Sequence, residues 1–133
     1  MDKSILDSIV STILPKEIYL YFEVVSITEQ AEEVEIKLEE YAEFVPPQMS
    51  SLTNIVLDGF CNPLSLLHFS LNGKPLYLKL FRRRWKESGS DKHFSNQYNF
   101  HPQGVKATHE CASFLKDEVG YTADEYLRCF LGT

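Results

Sequence analysis

The stretch from Leu64 to Arg84 constrains this chain more than any other. It reads Leu-Ser-Leu-Leu-His-Phe-Ser-Leu, then Asn72-Gly73, then Lys-Pro-Leu-Tyr-Leu-Lys-Leu-Phe-Arg-Arg-Arg. Two apolar runs joined by Asn-Gly specify a β-hairpin with a type I′ turn. That turn needs φ > 0 at both central residues, which Asn and Gly tolerate. A two-residue loop sets Leu71 opposite Lys74, Phe69 opposite Leu76, Leu67 opposite Leu78 and Ser65 opposite Leu80. One face then gathers Leu67, Phe69, Leu71, Leu76, Leu78 and Leu80 as a core face. Pro75 falls opposite Ser70 in a non-hydrogen-bonded pair, where its missing N–H costs the ladder nothing.

A chain of 133 residues with 44% hydrophobic and 13% aromatic content builds one domain with a real core. Its apolar runs fall well short of the roughly 20 residues of a membrane span, and its start lacks a basic, then apolar, leader pattern. The expectation is a cytoplasmic protein without a membrane partner. Cys61, Cys111 and Cys129 are far apart and include no C-x-x-C pair, so buried reduced thiols are expected rather than zinc or disulfides. The net charge of −6 hides an asymmetry. Residues 1–45 carry eleven acids against three bases, whereas residues 74–92 carry seven bases against two acids. One basic working surface and one acidic surface follow.

In chain order, Ile5, Leu6, Ile9, Val10 and Ile13 form a helical stripe that Leu14-Pro15 ends. Pro15 suits the first position of a second short helix from Lys16 to about Phe22. Residues 23–28 and 33–39 alternate as two antiparallel strands, the acids of the second on its wet face. Residues 41–54, with Pro46-Pro47, read as a loop, and 55–60 as a strand in which Gly59 permits a bulge. His93 to Phe100 reads as a strand returning along 76–85. A helical stripe then runs from Val105 to Val119, with Gly120 as its stop. Thr122-x-x-Glu125 is a capping box that opens a last helix.

The chemistry-bearing feature is the basic strand end. Arg82, Arg83 and Arg84 can present guanidinium forks to phosphates. Lys79, Lys86 and Trp85 flank them, and basic residues interleaved with aromatics suit nucleic acid. The competing view is a solubilising strand end paired with the acids of 33–43. His68, His93, His101 and His109 show no ligand spacing, and neither a nucleophile motif nor a phosphate loop is present. No catalytic constellation is legible, and no cofactor or metal is expected.

These residues also resemble a known family. The run Leu67-x-Phe69-x-Leu71-x-Gly73-Lys74-Pro75-Leu76-Tyr77-Leu78-x-Leu80-x-Arg82-Arg83-Arg84-Trp85 is similar to the N-terminal region of insertion-sequence transposases of the ISL-three group. The nearest variant is the ISAon-one-like type, in which this region is a separate small protein. Leu14-Pro15 with Tyr21-Phe22-Glu23-Val24-Val25 resembles that type's opening, and Val34-x-Ile36-x-Leu38-Glu39-Glu40 its acidic strand. Gly104-x-Lys106-x-Thr108-x-Glu110-x-Ala112-x-Phe114-Leu115 resembles its ending, so residues 12–118 are covered apart from 41–63. Zinc-bearing relatives place cysteines before the hairpin and after the arginine run. Here Lys86-Glu87-Ser88 follows Trp85, so no zinc site carries over.

Together these readings predict an α+β fold. An antiparallel sheet of five or six strands surrounds the hairpin, with N-terminal helices and two C-terminal helices on one face. The resemblance implies a non-catalytic protein that binds transposon-end DNA through Lys79, Arg82, Arg83, Arg84, Trp85 and Lys86. It implies a separate catalytic DDE transposase chain as partner. The alternative is an interaction module whose acidic strand docks that chain or another basic partner.

Overall fold

In the computed structural model, which describes residues 3–119, the chain is α+β. Helices α1 (Lys3–Ile13) and α2 (Lys16–Tyr21) lead into strands β1 (Phe22–Glu29) and β2 (Val34–Glu40). A 3₁₀ turn at Pro47–Met49 precedes β3 (Ile55–Phe60), β4 (Leu64–Leu71), β5 (Lys74–Phe81), β6 (Arg83–Glu87) and β7 (His93–Phe94). Helix α3 (His109–Phe114) continues as a π-turn over Leu115–Val119. The last helix expected from Thr122 lies outside the described residues, as does Cys129.

The described strands form two sheets rather than one. Four strands lie in the order β1-β2-β5-β4, and three in the order β3-β6-β7. The long basic strand expected over 74–84 breaks at Arg82, the one residue between β5 and β6, and so contributes to both sheets. The hairpin strands β4 and β5 pair antiparallel, as do β1 and β2, but β2 and β5 run parallel. The parallel register aligns Val34 with Leu76, Ile36 with Leu78 and Leu38 with Leu80. Two apolar stripes therefore share one face, and the chain reaches this pairing through the long crossover that parallel strands need.

The Asn-Gly turn forms as its residues dictate: Asn72 and Gly73 have φ of 54° and 76°, and Leu71 faces Lys74. Beyond the turn the expected register shifts by one residue. His68 faces Leu76, Leu67 faces Tyr77 and Leu66 faces Leu78. Phe69 and Ser70 together oppose Pro75, a bulge placed where proline has no N–H to donate. The slip changes which side chains are buried. Leu64 and Leu66 join the stripe of Leu76, Leu78 and Leu80, Leu67 turns to the opposite face, and Phe69 is exposed.

Both faces of the four-stranded sheet bury apolar side chains as a result, the second only in part. On one side Val10, Leu14, Ile18 and Phe22 pack over Val34, Ile36, Leu38, Leu66, Leu76, Leu78 and Leu80. At about 1.5–3 kcal/mol for each fully buried aliphatic side chain, this layer carries most of the stability. On the other side Leu67 packs with Ala107, Cys111 and Leu115 of the C-terminal segment. The helices thus lie on both faces, not one. Helix α3 also begins later than expected. Residues 105–108 run extended, Leu67 bridges Ala107, and the Thr108 hydroxyl caps the helix by accepting from the Cys111 N–H.

Of the strand expected over 93–100, only His93–Phe94 is in the ladder. It pairs with Trp85 and Lys86 of β6, not with the whole of 76–85. Residues 95–100 leave the sheet, and Phe100 drops into the main core. The break at Arg82 and the departure of 95–100 together open the ground on which the charged residues sit.

Candidate nucleic-acid interface

The three arginines are consecutive, and they fan out to three places. The Arg82 Nη1 donates to the Asn96 carbonyl at 3.0 Å. The Arg83 Nε donates to the Glu40 carbonyl at 2.7 Å, and the Arg84 Nε to the Asp58 carbonyl at 2.8 Å. In each case this anchor is a neutral main-chain oxygen, which for Arg82 and Arg83 orients the side chain without offsetting its charge. A guanidinium has five N–H donors, and one is spent on each of these anchors.

Arg83 is held from its backbone as well. Its N–H donates to the Glu40 carboxylate at 2.8 Å. Glu40 is fully buried, with 0% exposure, at the end of β2. Its second carboxylate oxygen accepts from the Asn96 side-chain amide at 3.0 Å and from the Tyr98 hydroxyl. Burial and this bond to the carboxylate push the Tyr98 hydroxyl far above the usual phenol range. One buried carboxylate thereby ties β2, the start of β6 and the segment after β7 together. The acids of residues 33–39 were expected on a wet face, and Glu35 and Glu39 do lie on the outward side of β2; Glu40, one residue beyond that expected strand, points inward. Alternation was a usable signal, because position 40 continues the inward stripe of 34, 36 and 38.

On the outward face of β2 and β5, Lys37 and Lys79 are register partners. Their ammonium groups lie 5.0 and 6.0 Å from the Phe81 ring centroid. Phe81 meets Phe60 edge to face at 6.1 Å, and the Arg83 guanidinium lies 4.9 Å from the Phe60 centroid. Three cations and two half-buried rings thus form one continuous patch. Lys79, Phe81 and Arg83 were legible in the sequence as one face of an extended strand, whereas Lys37 and Phe60 were not. Lys37 and Phe60 come from distant segments that only the parallel β2–β5 pairing and the β3–β6 ladder bring alongside.

Arg84 and Lys86 belong to a second group. Arg84 Nη2 lies 3.7 Å from the Asp58 carboxylate, and His93 Nε2 is 2.5 Å from the same oxygen. The hydrogen bond from His93 holds the Asp58 carboxyl below its usual range; desolvation opposes it, and the weaker pulls of Lys86 and Arg84 add to the lowering. No hydroxyl or thiol among the described residues hydrogen-bonds the His93 ring, so this exposed pair tethers β3 to β7. Gly59, in the expected bulge of β3, has a φ of 76° that L side chains rarely adopt, which is why glycine stands there.

Trp85 is buried, with 6% exposure, between cross-strand partners Leu57 and Phe94. It anchors β6, and its indole N–H has no hydrogen-bond partner among the described residues. Arg82 leans toward a cleft of about 250 Å³ lined also by Asn62, Gln97, Tyr98, Phe100 and His101. No group of three or more metal-ligating side chains occurs among the described residues, and none of the described helices is long and apolar enough to cross a membrane. Comparison of the chain with protein-family models, with curated proteins and with solved structures gives no match.

Proposed function

We propose that this protein binds DNA, as a non-catalytic N-terminal-region or accessory protein of an insertion-sequence transposase acting at transposon ends. One observation carries the reading: Lys37 and Lys79 sit side by side across the parallel register and share one aromatic patch with Arg83. Like charges placed directly opposite one another are unfavourable. Glu39, 3.9 Å from Lys37, offsets one of them. A phosphate between the two lysines removes the remaining repulsion, and Phe81 and Phe60 offer apolar surface to sugar and base. Arg84 and Lys86 add a second positive group on β6, and Arg82 adds a third cation at the break between β5 and β6. Trp85 contributes by fixing that strand. The resemblance over residues 12–118 supplies the biological setting.

The test is a titration of the full chain against duplex DNA over a range of salt. Each lost phosphate contact lowers the slope of log K against log salt by about 0.9. Lys37→Ala and Lys79→Ala should each flatten it by that amount and should act additively. No measurable affinity at low salt, or a slope unmoved by both substitutions, overturns the reading.

The partner chain has its own observation. Strand β2 lies inside its sheet, between β1 and β5, so its acids are not at an edge. Strand β1 is an edge of that sheet, with Val25 and Ile27 exposed at 47% and 48% and Glu23 and Glu29 beside them. An edge strand with exposed apolar side chains is a template for adding a strand from another protein. This favours docking of the catalytic transposase at β1. Ile27→Lys should abolish co-purification with that chain and leave DNA affinity unchanged; retained co-purification rejects the docking site.

A further inference from the structure

The cleft beside Arg82 has a composition that the patch on β2 and β5 does not use. Its floor is apolar, formed by Phe22, Leu64 and Leu80. On its wall the rings of Tyr98 and Phe100 are stacked, 9° from parallel with centroids 4.8 Å apart. The Tyr98 ring is fixed from both ends, by its hydroxyl on Glu40 and by Phe22 edge to face at 5.5 Å. Its rim is polar: Asn62 and Gln97 carry amides that both donate and accept. Arg82 is held at the wall by its bond to the Asn96 carbonyl and keeps further N–H groups for an anion. His101 donates from Nδ1 to the Pro102 carbonyl at 2.8 Å, which leaves Nε2 as the ring nitrogen for a ligand.

The half-buried Tyr98 ring, amides at the rim and one oriented guanidinium match the three parts of a nucleotide. The ring can meet the base, the amides can read its edge, and the guanidinium can hold the adjoining phosphate. The volume is below the roughly 300–1,000 Å³ of sites that enclose a whole drug-sized ligand, which suits a single base rather than a larger molecule. Arg82 and Arg83 are joined by one peptide bond, yet one borders this cleft on the helix-covered face of the four-stranded sheet and the other borders the Phe60–Phe81 patch on the opposite face.

We infer that this cleft takes up one unstacked nucleotide from a DNA strand held by the basic patch on the other face of the sheet. The inference rests on the DNA-binding reading and adds to it a preference for ends or openings over continuous duplex. Unstacking a base costs a few kcal/mol within a duplex and least where the strand is already single. The cleft therefore discriminates in favour of a frayed or overhanging end.

The experiment compares two duplexes of equal length, one blunt and one with a short single-stranded overhang carrying 2-aminopurine. Full-length protein should bind the overhang duplex about tenfold more tightly and change the 2-aminopurine emission. Gln97→Trp fills the mouth of the cleft from an exposed position. It should remove both the preference and the emission change while leaving blunt-duplex affinity as it was. Equal affinity for the two duplexes without an emission change overturns the inference and leaves the DNA reading standing. Failure to bind either duplex overturns both. Free deoxyadenosine monophosphate shares the chemistry of the site. Saturable binding of it, without preference for the overhang duplex, assigns the cleft to a free nucleotide and overturns the strand assignment.

Discussion

Glu40 and Arg83 hold each other twice: the Glu40 carboxylate accepts the Arg83 backbone N–H at 2.8 Å, and the Glu40 carbonyl accepts the Arg83 Nε at 2.7 Å. This double contact sits where the chain passes from the four-stranded to the three-stranded sheet. It joins the acidic N-terminal half to the basic strand, but through a buried acid rather than through surface pairing. The arginine is thus both a structural tie and a charge facing the Phe60 ring.

Glu40→Leu should destabilise the protein strongly. It strips an acceptor from the Arg83 N–H, the Asn96 amide and the Tyr98 hydroxyl inside the protein. Each buried donor left without a partner costs about 1–3 kcal/mol. Glu40→Gln keeps one acceptor and should cost less. Urea unfolding measures both, and a Leu variant within about 0.5 kcal/mol of wild type would show that this network does not hold the sheets.

Phe81→Ala separates ring from charge at the proposed DNA surface. Removing a ring on which a base stacks costs about 1–3 kcal/mol of affinity. The salt slope should stay as in the wild type, since no cation is lost. An affinity unchanged by this substitution would remove the aromatic part of the proposal and leave only the lysines and arginines.

His68 should make stability pH-dependent. It is buried, bonded through Nδ1 to the Thr108 hydroxyl at 2.8 Å and through Nε2 to the Ile13 carbonyl at 2.9 Å. Burial lowers its pKa below the ordinary 6.5, and the bond to Ile13 only partly opposes this. The unfolded chain therefore binds the proton first as pH falls. The contribution to stability is complete above about pH 6.5 and is lost as pH drops toward the native value. Thermal melts from about pH 7 to pH 5 should show this loss, and His68→Gln should flatten it. An equal pH dependence in the variant would assign the effect to other groups.

Cys111 should resist alkylation. It is buried beside Leu67 and Leu115, and burial pushes its thiol up to about 11. Little reactive thiolate then exists at about pH 8. Iodoacetamide followed by peptide mass spectrometry should find Cys61, which is half-exposed, modified in the native protein, and Cys111 modified only in denaturant. Rapid native labelling of Cys111 would show that the C-terminal segment does not cover β4 as described.

The hairpin shows how far a local pattern reaches. Asn72-Gly73 sets its own turn because the conformations it needs belong to those two residues. The register beyond the turn depends on Pro75, whose missing N–H is met by a bulge at Phe69-Ser70. Alternation read from the turn outward therefore put Leu67 and Phe69 on the core face, where Leu64 and Leu66 stand instead. The same counting, carried two residues past Leu38, would have found Glu40. The expected strand ended one residue short of it.

Local chemistry in the sequence determined the hairpin turn, the break at Leu14-Pro15, the β1–β2 pair and the bulge at Gly59. Each depends on φ preferences or on a period within a few residues. The tertiary structure alone decided that β2 runs parallel to β5, that the basic strand splits at Arg82, and that helices lie on both faces. It also decided that Lys37 and Phe60 join Lys79, Phe81 and Arg83. These follow from matching apolar stripes and burying polar groups with their partners across distant segments. Such energies belong to pairs of surfaces, and neither member of a pair records its partner in its own sequence.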